Sequence, residues 1–131
     1  MEFNVQIDFQ LLDTTILPKE ITKKIGITPE VEFEKGKRNV KLGLPRVNIW
    51  SIRSHASSNE VEDHWRNLEK SLESSKDAIK EVAKTGMAKF TLIVNSSERI
   101  PPLMIPPEMS RFAGFVNAVI DIDHYSDNVN Q

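Results

Sequence analysis

His64 follows Asp63 in a stretch that also holds Glu60 and Glu62, and His124 follows Asp121 and Asp123. Imidazole beside carboxylate is the pairing used in general acid–base catalysis and in many metal centres. For the second group, strand alternation argues against a shared site: Asp121 and Asp123 project to one face and His124 to the other. Two acids on one face of an edge strand also discourage edge-to-edge pairing. The first group fits a helix's opening turn, where carboxylates meet the positive end of the dipole. The remaining histidine, His55, falls between a strand and that helix. No Gly-x-Ser-x-Gly elbow, phosphate-cradling glycine loop or paired His-Glu zinc motif accompanies them. The chain has no cysteine, so thiolate metal sites, disulfides and cysteine nucleophiles are removed together. The expectation is a protein without catalytic residues, metal or cofactor, and not an enzyme.

Binding leaves a clearer trace than catalysis. The net charge of −2 hides an asymmetry. Lys35, Lys37, Arg38, Lys41 and Arg46 lie in one stretch without an acid. Further on, Glu60, Glu62, Asp63, Glu69 and Glu73 crowd a helical segment. A basic loop on an otherwise acidic domain marks one anionic contact rather than a general nucleic-acid binder, whose pI usually exceeds about 9. Trp65 belongs to the apolar stripe Val61, Trp65, Leu68 and Leu72 and reads as core. Trp50 also reads as core, with an indole N–H that needs a partner.

The elements that position these residues follow from periodicity. Phe3, Val5, Ile7 and Phe9 alternate with polar residues as a half-buried strand does. Pro18 opens a short helix that Gly26 stops. Val31 and Phe33 mark a second strand, and 36–46, with two glycines and a proline, reads as a loop. Val47 to Arg53 is a strand apolar on both faces, with Val47 and Ile49 on one side and Trp50 and Ile52 on the other. A long helix capped by Ser57, Ser58 or Asn59 follows. It breaks near Glu73 and restarts with Ile79, Val82 and Ala83 inward, until Gly86. Phe90, Leu92 and Val94 form the next strand, and Leu103 to Ile105 has room for a short one. Pro107 then starts a helix with Met109, Phe112, Ala113 and Val116 inward, ahead of a last strand through Ile120 and Ile122. This order predicts an α+β fold, a two-layer sandwich of a mainly antiparallel sheet with helices packed on one face. A single domain over 1–125 and a polar tail over 126–131 complete the expectation.

At 131 residues, 39% hydrophobic and 27% charged, the chain can bury a core without covalent help. No apolar run approaches the ~20 residues of a membrane span. The N-terminal stretch alternates too quickly for a signal peptide. A cytoplasmic protein with no membrane partner is expected.

Leu17 to Pro29, Lys35-Gly36-Lys37, Asn48-Ile49-Trp50-Ser51, Ile105 to Met109 and Ile120 to Tyr125 together resemble a bacterial family, domain of unknown function 4279. The resemblance implies a small α+β protein. It further implies kinship with immunity proteins that neutralise contact-dependent or polymorphic toxins by tight non-covalent binding. On that reading the partner is a cognate toxin domain, met by Glu60, Glu62, Asp63, Glu69 and Glu73, with Asp121 and Asp123 as further acids. The second expectation is a module for nucleic acid or a phosphorylated ligand, using Lys35, Lys37, Arg38, Lys41 and Arg46.

Overall fold

The computed structural model describes residues 3–126. Apart from Ser126, the expected tail lies outside them. Among the described residues nine elements follow one another: β1 (Phe3–Leu12), α1 (Pro18–Ile25), β2 (Val31–Phe33), β3 (Ile49–Arg53), α2 (Val61–Ser74), α3 (Lys76–Ala83), β4 (Met87–Ser96), α4 (Pro107–Val116) and β5 (Val119–Tyr125). The strands form one sheet in the order β2-β3-β1-β4-β5. Its first three pairings are antiparallel and the last, β4 with β5, is parallel. The fold is α+β, as the alternation of patterns predicts, with the helices packed on the sheet.

The strand alternation decides which face the helices cover. Val5, Ile7, Phe9 and Leu11 of β1 are buried, and Val94, Leu92, Phe90 and Ala88 of β4 lie opposite them in register. Trp50 and Ile52 of β3 continue that face beside Leu11 and Phe9. The opposite face of β1 shows Asn4, Gln6, Asp8 and Gln10. Four rings bind helices to sheet: Phe90 lies 4.8 Å from Phe9 and 6.0 Å from both Trp65 and Phe112. Such tilted and edge-on pairs add to the burial itself.

Several local expectations meet their physical cause. Helix α1 stops at Gly26, whose φ is +78°. The interruption of the long helix falls at Ser75, between α2 and α3, and the Ser74 hydroxyl bonds back to the Lys70 carbonyl instead of capping forwards. Gly86 follows α3 because a Cβ there would lie 2.3 Å from the Leu12 carbonyl oxygen. All four residues expected inward on α4, Met109, Phe112, Ala113 and Val116, are buried.

Three expectations differ from the structure. The strand expected over Val47 to Arg53 begins only at Ile49, and Val47 lies in a bend ahead of it. Helix α2 takes Glu60 as its N-cap with no side-chain cap bond. Ser58 serves otherwise, accepting the Glu60 N–H at 3.0 Å and donating to the Asp63 carboxylate at 2.6 Å. No strand forms at Leu103–Ile105, because Pro101, Pro102 and Pro106 around it lack the N–H a ladder needs. Among the described residues, no helix is long and apolar enough to cross a membrane.

Candidate functional site

The chain leaves β4 at Ser96 and reaches α4 through an irregular strap, residues 97–106. Leu103 and Ile105 sit half-buried against the core, and Met104 between them is 74% exposed. The strap faces the first turn of α2 across a cleft of about 520 Å³, lined by Phe3, Glu60, Glu62, Arg66, Pro101 to Pro107 and Glu108 among others. Most of its lining residues are apolar, and its polar side chains are Asn59, Arg66 and three carboxylates. Among the lining residues, three acids stand against one guanidinium.

Arg66 is claimed from several sides. Its guanidinium reaches Glu62 at 3.0 Å, one helical turn back, and Glu69 at 3.3 Å. The Glu62 hydrogen bond, aided by the charges of Glu69 and Glu108, raises the Arg66 pKa further above its usual value against the opposing pull of desolvation. One cation thus serves several anions, and the cleft keeps an excess of negative charge. Glu60 and Glu62 of the sequence-predicted set meet here. Asp63 lies on the same exposed first turn, bound by Ser58, while Glu69 and Glu73 continue along α2 away from the cleft. Glu73 lies 3.8 Å from the Lys76 ammonium.

Sequence reasoning missed Glu108, Arg66 and the strap. Glu108 reads only as a helix-opening acid after Pro106-Pro107, and nothing local places it beside α2. The contact exists because α4 and α2 pack on the same sheet face.

The segment ahead of α2 is held by a buried network. His64 is 2% exposed; its Nε2 donates to the Ser58 carbonyl at 2.7 Å, which leaves Nδ1 to accept from the Ser54 hydroxyl at 2.6 Å. Ser54 is fully buried and its Oγ accepts the Ile7 N–H at 2.9 Å. A serine hydroxyl on imidazole is also the contact of a nucleophile–base pair. Here both side chains are buried and the serine oxygen is occupied by a strand amide, so the pair ties β1, β3 and α2 together. His55 is exposed and pairs with Glu30 at 2.9 Å.

Asp121 and Asp123 fall on the open face of the sheet and His124 on the other, as the alternation predicts. The open face satisfies its charges internally. Asp8, only 7% exposed, receives the Arg53 guanidinium through two bonds of 2.7 and 3.0 Å. Lys89 lies 3.6 Å from Asp121, and the Tyr125 hydroxyl donates to Asp123 at 2.9 Å. Both tryptophans are fully buried. The Trp50 indole donates to the Thr22 hydroxyl at 3.0 Å, while Trp65 Nε1 meets no acceptor among the described residues.

The basic residues gather elsewhere. Lys35, Lys37, Arg38, Lys41 and Arg46 are all exposed on the connection between β2 and β3. That connection joins the same two strands at the far edge of the sheet from β5.

The molecule is an open-sided α+β sandwich with a largely apolar, acid-rimmed cleft. The family described as Domain of unknown function (DUF4279) matches residues 2–127, and the chain belongs to it. No curated protein and no solved structure matches the chain.

Proposed function

We propose that this chain is an immunity protein, which neutralises a bacterial toxin domain in the cytoplasm by tight, non-covalent binding and performs no chemistry itself. The observation that carries the reading is the cleft between the strap and α2, where Glu60, Glu62 and Glu108 outnumber Arg66 around exposed Met104. Toxins that cut nucleic acid present basic substrate grooves, and a Lys or Arg from such a groove finds both complementary charge and an apolar wall here. Affinity in such interfaces concentrates in a few anchors that fill pockets, surrounded by contacts that exclude water. The acids along α2, Asp63, Glu69 and Glu73, extend the field and speed encounter with a basic partner. The strap contributes little ordering cost, since its three prolines, Pro101, Pro102 and Pro106, restrict it before binding.

Co-expression tests the reading. The product of the gene adjacent to this one is expected to arrest growth, and this chain to restore it. A harmless neighbour, or arrest that the chain leaves unchanged, overturns it.

A further inference from the structure

The connection between β2 and β3 is a built hairpin rather than a loose loop. Asn39 and Leu44 exchange both backbone hydrogen bonds, at 2.9 and 3.0 Å, and enclose Val40-Lys41-Leu42-Gly43. Gly43 N–H returns to the Val40 carbonyl at 3.2 Å, and Leu42 N–H to the Asn39 side chain at 3.1 Å. At its foot, Gly36 N–H bonds the Pro45 carbonyl at 2.8 Å. These bonds close the turn, and its tip shows Val40 at 77% and Leu42 at 66% exposure. Among the described residues, Met104 is the other large hydrophobic side chain that is comparably bare.

The same connection carries the five exposed cations. Among the described residues, none of the five is within ion-pair distance of a carboxylate. Arg38 stacks over the Phe33 ring at 5.2 Å, which fixes its guanidinium beside the hairpin. Glu34, the nearest acid in the chain, is half-buried at the foot beside Leu17, Pro18 and Lys19.

We infer that this hairpin docks on an anionic lipid surface, inserting Val40 and Leu42 among the acyl chains while the cations engage the headgroups. Both halves of the surface then have a use. Basic residues close to an anionic leaflet each strengthen binding several-fold, and exposed aliphatics gain by leaving water. A nucleic-acid strand would satisfy the cations alone. It stacks its bases on rings, and the tip offers none, Phe33 being covered by Arg38. The sequence-based expectation of no membrane partner rests on the lack of a spanning segment, which a peripheral contact does not require. The inference is independent of the immunity reading, since it concerns a different surface and a different readout.

Co-flotation of the purified full chain with vesicles tests it. Binding is expected to phosphatidylcholine vesicles carrying about 30 mol% phosphatidylglycerol, weakening with salt, and to be absent on phosphatidylcholine alone. Val40→Ser with Leu42→Ser is expected to lower that affinity about tenfold or more. Lys37→Glu with Arg38→Glu is expected to lower it at least ~25-fold, from roughly fivefold for each lost cation. All four positions are exposed, and an unchanged thermal midpoint confirms the variants are folded. In Leu42→Trp, the emission is expected to shift to the blue on anionic vesicles only, readable because the native tryptophans are buried. Absence of flotation overturns the inference. So does flotation that survives Val40→Ser with Leu42→Ser, or single-stranded oligonucleotide binding through the same cations that exceeds vesicle binding.

Discussion

The strap over residues 97–106 and the hairpin over 34–46 are alike in one respect and opposite in another. Each carries bare aliphatic side chains on an irregular connection: Met104 on the strap, Val40 and Leu42 on the hairpin. The strap's neighbours are carboxylates from two helices, whereas the hairpin's are five cations from its own sequence. An exposed hydrophobic residue is not itself informative. On the two proposals made above, its charged surroundings select the partner: a basic protein side chain at the strap, an anionic leaflet at the hairpin. A near-neutral total charge conceals this division, because opposite regions cancel in the sum.

Removing what both regions share should have the largest effect. Phe90→Ala deletes the ring packed on Phe9, Trp65 and Phe112 and is expected to cost about 3–5 kcal/mol. Urea denaturation reads it, and both binding activities should fall together. Separating the regions comes next. Glu60→Lys, Glu62→Lys and Glu108→Lys combined should weaken the toxin complex by about 100-fold or more, since like charges brought together at an interface cost several kcal/mol. Calorimetry or competition would measure this, with vesicle flotation unaltered.

His64→Ala sharpens the comparison. It strands the Ser58 carbonyl and the Ser54 hydroxyl, at a cost of about 1–3 kcal/mol for the unmet buried polar groups. Because Ser58 in turn holds the Glu60 N–H, the toxin affinity should drop while the hairpin keeps its lipid affinity. Gly43→Ala acts on the opposite region. Gly43 has φ +66°, a conformation that costs other residues about 1 kcal/mol, so flotation weakens and toxin binding does not.

The smallest effect concerns pH at Glu30, which ties the start of β2 to the end of β3. Burial pushes its carboxyl up, but the hydrogen bonds from His55 and the Arg53 backbone N–H, with the charges of both residues, outweigh that and hold it below its ordinary value. A folded value below the unfolded one contributes stability that is complete above the ordinary 4.5 and is lost as pH falls through the lowered value. Wild type and Glu30→Gln should therefore differ by less than about 1 kcal/mol near neutrality and converge in acid, as thermal melts at stepped pH would record.

Much of the architecture was legible because it is written in local periods. Alternation in β1 and β4, the stripe along α2, Pro18 with Gly26, and the break expected near Glu73 and found at Ser75 each depend on residues within a turn or two. The strand expected at Leu103–Ile105 failed where the apolar alternation was present but the flanking prolines denied pairing. The candidate site was half legible. Glu60 and Glu62 stood out as acids on a helix, yet Glu108, forty-six residues beyond Glu62, carried no mark of meeting them. The hairpin's five cations were plain, while the bareness of Val40 and Leu42 was not, because an apolar residue in a loop reads the same whether covered or exposed.

By itself, the order of residues determined the α+β class, the buried face of every long strand, and the location of both charge clusters along the chain. Those properties follow from backbone period and side-chain chemistry, which neighbours in sequence largely settle. The tertiary structure alone decided that α4 brings Glu108 to the acids of α2, that the Ser54–His64 pair lies sealed inside, and that a basic connection closes into a hairpin with an aliphatic tip. Such arrangements arise from packing distant segments on one sheet, and local pattern holds no record of which segments will meet.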